Sequence, residues 1–175
     1  MQILQCSLIR ELTTRMNKMK KYIIPFLAIT CSVSVLLLNS CSKSEFEPYD
    51  HPFIHIHVNN SDTATVKHDR KDTVDYMVYL SAKLQFDPID VEYEIIKGDG
   101  LEEGRDYSVI NTGRTLHFEP GMFERAVRIA WLSNEVDSSK NNSLIIKLVS
   151  NTKNYTLGLP GPDKKQQQLK LIKVK

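Results

Sequence analysis

The chain has 175 residues, 41% of them hydrophobic and 25% charged, with a formal net charge of +2. Five of its basic residues (Arg10, Arg15, Lys18, Lys20, Lys21) and one acid (Glu11) precede Cys41, so the chain from Cys41 onward holds 18 bases against 20 acids, a net of −2. That balance excludes a basic face for nucleic acid, and the absence of any cysteine after Cys41 excludes disulfides and thiolate metal sites from the following 134 residues.

Met19-Lys20-Lys21 opens a basic segment, Tyr22 to Leu38 is apolar, and Leu38-Asn39-Ser40-Cys41 ends it. The apolar run is short for a permanent span and ends on small and polar residues, as a cleaved signal does. A cysteine there can take a diacylglycerol thioether and, once cleavage frees its amino group, a further acyl chain. Two or three chains on one residue hold a protein to a bilayer where one would not. The sequence therefore predicts a lipoprotein signal over 19–40 and lipidation at Cys41, with residues 1–18 an over-extended start. Residues 41–52, rich in charge and carrying Pro48 and Pro52, read as a tether.

From Phe53 to Lys175 the pattern alternates with period two, which predicts strands. Ile54, Ile56 and Val58 share one face. Val74, Tyr76, Val78, Leu80, Ala82 and Leu84 share the next, followed by Val91-Tyr93-Ile95, Leu116-Phe118, Val127-Ile129-Trp131 and Leu144-Ile146-Leu148. In the last run, Leu169 to Val174, the phase slips between Leu171 and Ile172, as a bulge would cause. Turn residues separate the runs, among them Asn59-Asn60, Asp87-Pro88, Gly98-Asp99-Gly100, Pro120-Gly121 and Pro160-Gly161. The expectation over 53–175 is an all-β fold: one antiparallel sandwich of seven or eight strands without a disulfide. Trp131 is placed in the core.

Leu101-Glu102-Glu103-Gly104-Arg105-Asp106-Tyr107, Thr115-Leu116-His117-Phe118-Glu119-Pro120-Gly121 and Ala126-Val127-Arg128-Ile129 together resemble the Calx-beta domain. The resemblance implies an immunoglobulin-like sandwich of the kind used in adhesion and, in some members, in calcium sensing. Gly104 would allow a backbone shape closed to other residues. Tyr107 would be buried with its hydroxyl hydrogen-bonded, and Pro120-Gly121 would turn Phe118 and Val127 inward. With its lipid signal and the Leu157-to-Asp163 segment, the chain also resembles small lipoproteins of Bacteroidetes. Those are often encoded with SusC/SusD-type glycan-uptake systems. In that group acidic stretches just after the cysteine favour surface exposure; Glu45 and Glu47 stand there, and a plain spacer is the other reading.

Candidate chemistry is sparse. Calcium needs six to eight oxygens; Glu135 and Asp137 could supply some, joined by Asp99, Glu102, Glu103 and Asp106 if their loops meet, and solvated loop acids are the alternative. His55 and His57 project from one strand face and could start a metal pair with His51 or His68. Zinc wants a third protein ligand and an oriented second shell, so semi-exposed side chains on an outer strand are the alternative. No serine elbow, free cysteine or distinctive carboxylate pair points to an enzyme, and no cofactor is implied. Glu92 and Glu94 are explained by alternation. Asp62-Thr63-Ala64 and Asp72-Thr73-Val74 match an acceptor pattern for O-glycosylation in exported Bacteroidetes proteins. The functional expectation is a non-catalytic lipoprotein of the outer membrane, on its periplasmic or surface face. It would bind a glycan or a protein, SusC/SusD-like outer-membrane proteins included; Tyr79, Phe123 and Tyr155 are the candidate sugar platforms, and ordinary packing is the alternative for each. A structural or adhesion spacer is the alternative.

Overall fold

A computed structural model describes residues 50–175; Cys41, the signal and most of the tether lie outside them. The described residues belong to a compact unit, Pro48–Lys175. It contains ten strands: β1 (Phe53–Ile56), β2 (Thr63–Lys67), β3 (Thr73–Ser81), β4 (Ile89–Lys97), β5 (Tyr107–Val109), β6 (Thr115–Phe118), β7 (Glu124–Trp131), β8 (Ser143–Asn151), β9 (Thr156–Leu157) and β10 (Gln168–Val174). No helix occurs among them. They form two five-stranded sheets, ordered β5-β7-β3-β1-β9 and β2-β10-β8-β4-β6.

The all-β expectation is met and two of its details are corrected. The sheets are mixed: β9 pairs parallel with β1, and β2 pairs parallel with β10. The strands number ten, because the short pieces β2, β5 and β9 carry too little apolar pattern to be read from sequence. Burial in β2, for example, reaches only Val66, and Ala64 is half-buried.

The core lies between the sheets. Ile54, Ile56, Val78, Val127 and Ile129 from one sheet and Val91, Leu144, Ile146, Leu148, Leu169 and Leu171 from the other are each 0% exposed. Alternation in β3, β7 and β8 therefore places one face inward, as period two requires. Trp131 is buried, and its indole N–H donates to the Tyr76 hydroxyl at 2.9 Å. Gly121 has φ of +81° and the Met122 N–H donates to the Glu119 carbonyl at 2.9 Å. This is a turn that favours proline and then glycine at its centre, and it does send Phe118 and Val127 inward. Gly104, with φ of +85°, likewise occupies a backbone region that a β-carbon disfavours.

Three further expectations change. Leu84 does not continue the inward face of β3: the strand ends at Ser81 and Leu84 is 56% exposed. Tyr107 is buried, but its hydroxyl makes no hydrogen bond among the described residues; the buried phenols with partners are Tyr76, beside the Trp131 indole, and Tyr93, which donates to the Gly113 carbonyl. The bulge at Leu171/Ile172 is absent. Strand β10 keeps register against β2 through Val174, and its inward residues are Leu169, Leu171 and Lys173. The apparent slip is a buried lysine.

Lys173 is 1% exposed and Asp106 0%. The ammonium lies 3.3 Å from Asp106 Oδ1 and donates to the Leu132 carbonyl at 2.8 Å. Asp106 Oδ1 also accepts from Asn134 Nδ2 at 2.9 Å; Oδ2 accepts from the Glu102 N–H at 2.9 Å and from Arg105 at 2.6 Å and 2.8 Å. Burial works against the charged carboxylate. The bonds from Asn134, Glu102, Arg105 and Lys173 outweigh it and hold the Asp106 carboxyl below the usual range. A lysine from one sheet thus ties together the loops that flank β5 and end β7 in the other.

Candidate functional site

The outward face of the first sheet carries a row of rings. Phe53, His55 and His57 alternate along β1 and its continuation, and β1 pairs with β3 so that His55 faces Tyr79. Ring centroids are 5.2 Å apart for Phe53–His55, 5.4 Å for His55–His57, 5.5 Å for His55–Tyr79 and 4.9 Å for His57–Tyr79. The last three pairs lie within 30° of parallel, an arrangement in which aromatic pairs attract beyond their buried area.

The two histidines sit in different surroundings. Burial, and then the neighbouring His57, push His55 down to about 4, so it is neutral at pH 7. Its Nδ1 is buried without a hydrogen-bond partner. His57 Nδ1 accepts the Asn60 backbone N–H at 3.2 Å, which leaves Nε2 to carry the proton of the neutral ring. Asn60 reaches that position because Asn59 and Asn60, with φ of 51° and 62°, form a two-residue turn. It is closed by reciprocal bonds between Val58 and Ser61 at 2.9 Å and 3.0 Å. Both central residues need positive φ, which asparagine tolerates.

Beside this stack lies an open depression of about 300 Å³ lined by His57, Val58, Asn59, Asn60, Asp75, Met77 and Tyr79. Asp75 is held at 2.9 Å by Arg128, its cross-strand neighbour on β7. The depression thus offers a ring wall, a thioether floor, two amides and a carboxylate. Those are the ingredients of a site that takes a polar ligand with an apolar face.

The other residues singled out by sequence fall elsewhere. His68 meets Glu135 at 3.5 Å. Asp137 accepts from the Ser139 backbone at 2.9 Å and hydroxyl at 2.6 Å, and these bonds lower its pKa. Asp99 accepts the Asn141 N–H at 2.8 Å, Glu102 meets Arg105 at 3.3 Å, and Glu103 accepts the Val109 N–H at 3.4 Å. The loops do meet, through Asn134 and Asp106, but the cation between them is the ammonium of Lys173. Glu92 accepts the Ser150 hydroxyl and Glu94 pairs with Lys147. Phe123 is 39% exposed at the end of the sandwich. Tyr155 packs against the core, and its hydroxyl donates to Gln85 at 2.7 Å. Among the described residues no group of three or more His, Cys, Asp or Glu could hold a metal ion. We expect zinc, titrated into the folded domain, to leave its thermal unfolding midpoint unchanged; a rise that His55→Ala abolishes would reassign the pair to metal.

Sequence alone lists Tyr79 and the two histidines as separate candidates and reads Asn59-Asn60 only as a turn. Pairing of β1 with β3 joins them, and no local pattern encodes that register. No protein-family model matches the chain, and no curated protein is detectably similar to it.

Proposed function

We propose that this chain is a non-catalytic lipoprotein, anchored through Cys41 to the outer membrane, whose immunoglobulin-like, Calx-beta-like domain binds a glycan. The observation that carries the binding half is the ring wall of His57 and Tyr79 beside Asn59, Asn60 and Asp75. A sugar presents one face of C–H groups, which packs against a ring, and a rim of hydroxyls, which amides and carboxylates recognise. The resemblance to Bacteroidetes lipoproteins that accompany SusC/SusD-type systems favours the same substrate class, and makes those outer-membrane proteins the natural partners.

The test uses the Cys41→Ser protein, released from the membrane, in affinity gels containing polysaccharides. One or more glycans should retard it. Tyr79→Ala should weaken the retardation about tenfold, the equivalent of about 1.4 kcal/mol, and Phe123→Ala should leave it unchanged. Failure of every polysaccharide would discard glycan binding and leave a structural or adhesion spacer.

A further inference from the structure

Seven large hydrophobic side chains are well exposed among the described residues, and four of them, Leu84, Phe86, Met122 and Phe123, sit at one end of the domain. The other three, Ile96, Ile110 and Val149, are scattered. The four belong to two loops that are bonded to each other. The Gly121 N–H donates to the Gln85 carbonyl at 3.1 Å, and the second loop is also tied to the end of β3, where the Leu80 N–H donates to the Phe123 carbonyl at 2.8 Å. Phe86 is 82% exposed. Exposed apolar side chains gathered on two adjoining loops of a folded domain mark a contact surface.

The chain enters the domain at this same end. Phe53 is paired with Ser81, and Asp50 is bonded to Lys83 at 2.5 Å, one residue before Leu84. Nine residue steps separate Asp50 from Cys41, and a fully extended chain of that length spans at most about 30 Å. At this end Lys83 is paired with Asp50 and Lys153 with Asp87 at 2.8 Å, while Glu119, paired with His117, and the exposed Glu124 flank the second loop. The opposite end exposes Glu102, Glu103, Glu135, Asp137 and Lys140.

We infer that the Leu84–Phe86 and Met122–Phe123 loops lie against the phospholipid bilayer, with their side chains in its headgroup region. This rests on lipidation of Cys41. The anchor brings the patch to the surface, and burial of the patch fixes how the domain stands on it. The depression beside His57, Asn59 and Asn60, beyond the end of β1 away from Phe53, then stands off the membrane.

The test is made on the full lipidated protein in phosphatidylethanolamine–phosphatidylglycerol vesicles. A fluorophore is placed through Phe86→Cys or, at the far end, Ser138→Cys; the thiol of Cys41 is consumed by its thioether. Nitroxide-labelled lipids should quench the probe at 86 several-fold more than at 138. Adding Leu84→Ser and Phe123→Ser should reduce that difference, with the circular-dichroism spectrum unchanged. Flotation of the vesicles tests the anchor separately. Protein that floats with equal quenching at both positions overturns the inference and keeps the anchor. Protein that does not float removes the anchor and the inference with it.

Discussion

Replacing Asp106 with alanine should destabilise the domain by about 3–5 kcal/mol, the range for breaking a buried ion pair by deleting one partner. The cost comes from what is left behind. Lys173 would stay in a position 1% exposed, with only carbonyl oxygens within reach. Asn134 and the Glu102 N–H would lose this acceptor, and Arg105 would keep only the Gly100 carbonyl and the Glu102 carboxylate. Lys173→Met should cost less, since the Asp106 carboxylate keeps the Arg105, Asn134 and Glu102 donors. The double variant should be more stable than Asp106→Ala alone, because it buries no unpaired charge; a double-mutant cycle by urea denaturation measures the coupling. The pH dependence has a definite sign. A carboxyl whose folded pKa lies below its unfolded value, about 3.9, contributes stability that is present above that value. It is lost as pH falls through the folded pKa. The gap between wild type and Asp106→Ala should therefore be full at pH 7 and shrink below about pH 4. A gap that stays constant into acid would show that the carboxylate charge contributes nothing.

Lys173 also shows where pattern reading stops. In Leu169 to Val174, alternation of Leu169, Leu171 and then Lys173 is uninterrupted in space. Hydrophobicity follows Ile172 instead, so a sequence reader sees a slip. A lysine on a core face is legible only together with its partner, and Asp106 stands 67 positions away, in the turn that leads into β5. Long alternating runs such as β3 and β8 were readable because each strand buries one whole face. The parallel pairings of β9 with β1 and β2 with β10 were not, since parallel order depends on crossovers that leave no local mark.

The same division holds at the ring stack. Period two puts His55 and His57 on one face from sequence alone. That Tyr79 joins them depends on the register between β1 and β3, and a shift of one residue would send Tyr79 to the core and Val78 outward. The turn chemistry of Asn59-Asn60 was visible. Its second use, presenting an N–H to His57, follows only from how the turn folds back on the strand.

Tyr107 separates packing from hydrogen bonding in a single side chain. Its ring is 2% exposed and lies 6.4 Å from the Trp131 ring, tilted by 55°. The Tyr107 and Trp131 positions are opposite each other on β5 and β7. Because β5 is the last strand of its sheet and only three residues long, this ring holds most of what the strand contributes to the core. Tyr107→Ala should therefore cost about 3–5 kcal/mol, the range for emptying a buried aromatic site. That is a large share of a small domain's stability of roughly 5–15 kcal/mol. With no partner for the hydroxyl among the described residues, Tyr107→Phe should change stability by less than about 0.5 kcal/mol, whereas the same change at Tyr76 should cost about 1–3 kcal/mol by stranding the buried Trp131 N–H. Urea midpoints for the three variants decide it. A Tyr107→Phe loss as large as that of Tyr76→Phe would restore a tied hydroxyl at Tyr107, and an unshifted midpoint for Tyr107→Ala would place the ring outside the core.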